Sequence, residues 1–149
     1  MAGRGDVCET ARVDPSDALQ EAVSVQSLDM QDQQIAARLG EIAGLDDGWL
    51  DGQGVAPDKA KMRQIYQRLV GHYPEMLPLP SIVPTPEGNL LLEWDVAGSP
   101  SIDLRLTDMA AHYHSFSPTG DVEKNFRLTD ERAWNELFGF LTAKLGQPA

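Results

Sequence analysis

The chain has 149 residues, with 23 acidic against 12 basic side chains and a formal charge of −11. At this length about 70% of the unfolded chain's surface is buried on folding, enough for one core without metal or disulfide support, so a single domain is expected. A surface of that sign repels phosphate backbones, which excludes direct nucleic-acid binding and leaves solvation or a basic protein partner as the meaning of the charge.

Cys8 is the single cysteine, so no intrachain disulfide can form and a reducing compartment is expected. No apolar run approaches the ~18 residues of a membrane span, and Met1 to Asp14 lacks the apolar core of a signal peptide. A cytoplasmic protein with no membrane partner is therefore the reading. Residues 1–27 are polar and read as a flexible or partly helical arm, with Ala18, Leu19, Ala22 and Val23 at helical spacing. Arg4-Gly5-Asp6 within it is a coincidental adhesion tripeptide. Residues 28–149 read as one α+β domain.

From Leu28, the apolar positions Leu28, Ile35, Leu39 and Ile42 form a helical stripe that stops at Gly44. A second helix opens at Ala56-Pro57-Asp58, with Pro57 in its first turn, and carries Met62, Ile65, Tyr66, Leu69 and Tyr73 on one face up to Pro74. Five prolines from Pro74 to Pro86 forbid a helix or a central strand, so the stretch from Glu75 to Gly88 reads as a stiff extended connector along an edge. Asn89 to Val96, Ile102 to Leu106, Met109 to Ser117 and Val122 to Leu128 then alternate as four strands of an antiparallel meander. After Thr129-Asp130-Glu131, a final helix buries Trp134, Leu137, Phe138, Leu141 and Leu145 against one sheet face.

Matching apolar residues across strands gives an expected register. Trp94 faces Leu104 and Leu92 faces Leu106; Leu104 faces Ala111 and Ile102 faces Tyr113; Tyr113 faces Phe126. The other face then carries Glu93 beside Arg105 and a row Asp95, Asp103, His112, Arg127. Asp95, Asp103 and His112 could hold a divalent metal or work as acid and base. A charge-compensated ladder on a solvated face explains the same residues without catalysis, and His114, on the same face, adds only an incomplete pair of imidazoles.

Leu45 to Gly54 gathers Asp46, Asp47 and Asp51 with three glycines and Trp49 between the first two helices. Asp47, Asp51, Gly52 and Asp58 fall at positions one, five, six and twelve of a calcium loop, but Trp49 stands where an oxygen ligand belongs and Asp replaces the closing Glu. No lysine follows the glycines, so no phosphate loop forms either. Two readings remain: Trp49 and Leu50 plug the core beneath the sheet and seat the second helix against it, or Trp49 is an exposed anchor ringed by Asp46, Asp47 and Asp51.

Leu45 to Asp58 and Pro80 to Trp94 together resemble a family of small uncharacterised bacterial proteins with a Gly-Trp-x-Asp-Gly segment, then Pro-Thr-Pro-x-Gly and a strand ending Glu-Trp. The resemblance spans about Leu39 to the final helix and implies bacterial origin and a shared fold, with no reaction and no catalytic residue. The expected function is a non-enzymatic interaction module of the immunity, antitoxin-like or accessory kind that binds a basic protein. It needs no cofactor and leaves a homo-oligomer open. The alternative is a small metal-dependent hydrolase using Asp95, Asp103 and His112.

Overall fold

The computed structural model describes residues 29–146. The expected arm, with Cys8 and Arg4-Gly5-Asp6, lies outside the described residues. Within them the chain forms three helices and a five-stranded antiparallel sheet, an α+β architecture.

Helix α1 (Met30–Ala43) starts where the Asp29 carboxylate accepts the Asp32 N–H at 2.8 Å, and it buries Ile35, Ala36, Leu39 and Ile42. Helix α2 (Lys59–Leu69) is capped by Asp58, whose side chain accepts the Lys61 N–H at 2.9 Å. Two details of the sequence reading change here. Pro57 precedes the cap rather than sitting in the first turn, and the helix ends at Leu69, not at Tyr73. Val70 is already extended and Gly71 turns with φ 84°, so Tyr73 reaches the core from a loop and is buried all the same.

Where the sequence pattern predicts only a connector, the proline-rich stretch contains a strand, β1 (Ser81–Pro84), paired with β2 (Leu90–Glu93). Antiparallel partners alternate between exchanging two hydrogen bonds and none. Thr85 N–H donates to Asn89 O at 2.9 Å, so Val83 and Ser81 bond to β2 while Ile82 and Pro84 point their backbone outward. Pro84 thus stands where no ladder N–H is needed, which is how prolines enter an edge strand. The Arg38 guanidinium of α1 donates to the outward Ile82 carbonyl at 2.7 Å. This edge is blunted by a proline and an arginine.

Strands β3 (Ser101–Arg105), β4 (Ala110–Ser115) and β5 (Val122–Arg127) complete the sheet in sequence order, each antiparallel to the next. Leu104 faces Ala111 and Ile102 faces Tyr113, as the apolar matching required. The flanking registers differ. Leu90, not Trp94, faces Leu104, and Ala111, not Tyr113, faces Phe126. Both slips move a strand by an even number of residues, so every side chain keeps its face, and apolar still meets apolar except at Tyr113, which now faces Lys124. Alternation alone cannot tell these registers apart.

One sheet face carries Leu90, Leu92, Ile102, Leu104, Ala111, Tyr113 and Phe126 into a core shared with all three helices. Helix α3 (Glu131–Leu145), capped by Asp130, supplies Trp134, Leu137 and Leu141, and its Phe140 meets Tyr113 edge-on at 4.8 Å. The other face, with Leu91, Asp103, Arg105, His112, His114, Asn125 and Arg127, remains exposed or half-buried.

Candidate interaction site

The glycine loop is folded by its own backbone. Asp51 and Gly52 both have positive φ, 51° and 89°, and link Leu50 to Gln53 as a two-residue turn of the primed hairpin kind. Leu50 N–H donates to Gln53 O at 2.7 Å and Gln53 N–H returns to Leu50 O at 2.9 Å. Gly48 N–H closes onto Gly54 O at 2.8 Å, and Gly52 N–H onto Gly48 O at 3.0 Å. Four short bonds within seven residues make this a rigid knob rather than a slack connector. The Asp-Gly pair was the sequence signal for the turn.

Trp49 plugs nothing beneath the sheet, so the first of the two sequence readings does not hold. It is half-buried against its own loop, with the indole N–H donating to Val55 O at 3.0 Å and a ring edge against Gly54, where an added Cβ would approach Nε1 to 3.1 Å. Leu50 is 44% exposed and Val55 53%. The reason is local: a tryptophan whose N–H is bonded six residues along its own chain is held to the loop and cannot reach the core.

The three loop carboxylates divide by role. Asp47 accepts the Ala56 N–H at 2.9 Å and so is part of the frame. Asp46 and Asp51 are exposed, and their side chains hold no hydrogen bond or ion pair with another described residue. Lys59 binds the loop to α1 by donating to Ala43 O at 2.6 Å and Leu45 O at 3.3 Å.

The loop meets the sheet through Val55 rather than Trp49. Val55 N–H donates to Pro86 O at 2.8 Å, and Gly88, with φ 86°, lies so close that an added Cβ would approach Val55 Cγ1 to 3.1 Å. The glycine loop and the Pro-Thr-Pro-Glu-Gly turn therefore touch, one docked on the other. Sequence reasoning missed Val55 and the Pro86–Gly88 contact because nothing in a linear pattern says which turn a loop will land on.

The same turn borders a depression of about 700 Å³ on the free sheet face, lined by Thr85, Glu87, Asp103, His112, Asn125 and Arg127 among others. The expected row is not assembled there. Asp95 lies beyond the end of β2, Leu91 faces Asp103, and His112 faces Asn125 instead of Arg127. Of Asp95, Asp103 and His112, only Asp103 and His112 are direct neighbours. His112 Nδ1 lies 2.7 Å from Asn125 Oδ1 and its Nε2 lies 3.2 Å from Glu123, while His114 Nε2 lies 3.3 Å from Asp121. Glu93 faces Ser101, and Arg105 instead grips Asp108 with two bonds of 2.9 and 2.7 Å. That grip holds the Asp108 carboxyl down at about 2. Among the described residues, no group of three or more His, Cys, Asp or Glu side chains is placed to hold a metal ion.

No family model, curated protein or solved structure matches the chain. Among the described residues no helix is long and apolar enough to cross a membrane.

Proposed function

We propose that the chain is a non-enzymatic interaction module of bacterial origin that binds a basic protein partner through the glycine loop. One observation carries this reading. A loop made rigid by its own hydrogen bonds holds exposed Leu50 and Val55 beside Asp46 and Asp51, whose carboxylates pair with no other described residue. An apolar centre with a charged rim is the usual anatomy of a protein interface, and a rigid loop loses little conformational entropy on binding. The carboxylates select a basic surface and speed encounter with it, while Leu50, Val55 and the free edge of Trp49 supply contact area. The chain's charge of −11 adds a long-range field of the same sign.

The test is affinity capture with the full chain against the variant D46N/D51N and, separately, Leu50→Ser. A stoichiometric basic partner held by the native chain and lost from both variants supports the reading. Equal retention by all three chains sinks it.

A further inference from the structure

The two edges of the sheet are treated differently. On β1, Pro84 and the Arg38 bond to Ile82 O occupy the outward backbone. On β5, Leu128 N–H donates to Met109 O at 2.8 Å, and alternation from that bond makes Phe126, Lys124 and Val122 the residues bonded to β4. Glu123, Asn125 and Arg127 therefore turn their N–H and C=O groups away from the sheet. Among the described residues, only the Arg127 carbonyl is engaged, by Thr129 N–H at 3.0 Å, and no described element pairs with this edge.

We infer that β5 pairs with β5 of a second copy of this chain, antiparallel about a two-fold axis at Asn125, to make a continuous sheet through both molecules. Side-chain complementarity selects the occupant and the register. With Asn125 opposite Asn125 of the second copy, Glu123 faces Arg127 of the second copy on the free face, and the pair recurs by symmetry. On the core side, Lys124 faces the second copy's Phe126, extending the contact that Lys124 Nζ already makes over its own Phe126 ring at 5.5 Å. Moving the axis to Lys124 sets two lysines against each other, and moving it to Glu123 sets two glutamates so; directly opposed like charges destabilise a sheet. Two backbone bonds join the Asn125 residues, and each Arg127 N–H donates to a Glu123 carbonyl across the axis. One short strand buries less than a stable dimer needs, and the acidic net charge opposes association, so the dimer is weak and concentration-dependent. This edge lies across the sheet from the glycine loop, and the inference stands apart from the reading above.

The experiment is sedimentation velocity of the full chain from about 1 μM to about 1 mM at ~0.15 M salt, with folding checked by circular dichroism. The native chain is expected to shift from monomer towards dimer across that range. Asn125→Pro, which removes an N–H that β4 does not use, is expected to stay folded and monomeric. Glu123→Arg is expected to weaken association at least tenfold, and Glu123→Arg combined with Arg127→Glu to restore it. The single and double variants lose the Glu123 contact to His112 alike, so recovery reports the pairing between copies, and this comparison decides the matter even if the proline variant does not fold. A native chain that stays monomeric throughout, a dimer that survives Asn125→Pro, or a double variant no better than Glu123→Arg overturns the inference.

Discussion

The indole N–H of Trp94 donates to the Tyr73 hydroxyl at 3.0 Å, and the two groups converge on the Pro78 carbonyl, at 3.1 Å from the indole and 2.5 Å from the hydroxyl. This ties the chain beyond α2, the proline-rich stretch and the end of β2 into one buried knot. Tyr73→Phe leaves Trp94 its bond to Pro78 and is expected to cost about 1 kcal/mol. Trp94→Ala, which empties a site 2% exposed, is expected to cost about 3–5 kcal/mol. Urea unfolding of the two variants measures the difference.

The same knot sets an alkaline limit. Burial pushes the Tyr73 phenol up to about 12, partly offset by the bond from Trp94. The folded chain therefore keeps this proton to higher pH than the unfolded chain, which loses it near the ordinary value of about 10. The sign follows: the contribution is intact below pH ~10 and is lost as pH rises through about 12, a change of about 2–3 kcal/mol. Stability measured against pH over that window is expected to fall less steeply for Tyr73→Phe than for the native chain.

Gly98 and Gly52 share a positive φ, 85° and 89°, but differ in surroundings. A Cβ at Gly98 would stand 2.8 Å from the Phe116 carbonyl oxygen, which is backbone and cannot swing aside, whereas one at Gly52 meets nothing within 4 Å. Gly52→Ala is expected to cost about 1 kcal/mol from backbone strain alone, and Gly98→Ala about 1–3 kcal/mol more. Thermal denaturation of both variants checks the ranking.

Arg105 holds Asp108 from exposed positions, so the pair is a titration marker more than a support. The Asp108 carboxyl, lowered to about 2 chiefly by the hydrogen bonds from Arg105, stays ionised as the medium is acidified past the ordinary carboxylate range. Its contribution is present above about pH 4 and fades as pH falls through about 2. In Arg105→Gln the Asp108 carboxyl is expected to titrate closer to its ordinary value, as followed by NMR of the side-chain carbon.

The elements with strong period and clear caps were legible in the sequence: α1, the start of α3, and β3 through β5 follow from apolar spacing and from Asp130. What was not legible has a separate physical cause in each case. A shift of a strand by an even number of residues leaves every face unchanged, so Trp94 opposite Leu104 looked as sound as Leu90 opposite Leu104, and the row built on that register placed Asp95 beside Asp103. Ile82 was hidden by Pro80 and Pro84, because the pattern shows the prolines but not that Pro84 points its missing N–H outward. Trp49 misled by its type: its average burial suggested the core, while the bond to Val55 O decides where it sits.

The loop's role rests on stability and binding coming apart at Trp49, Asp46 and Asp51. Trp49→Ala removes one hydrogen bond and a half-buried ring, so it is expected to cost about 1–2 kcal/mol and leave the chain folded. D46N/D51N alters exposed groups without partners among the described residues and is expected to change stability by less than about 0.5 kcal/mol. The most direct measurement is the affinity of native and D46N/D51N chains for the captured basic partner, read by titration calorimetry at low and high salt. We expect the native chain to bind more tightly by about tenfold or more at low salt, with the gap narrowing as salt is raised. Equal affinity of the two folded chains at every salt concentration would contradict it.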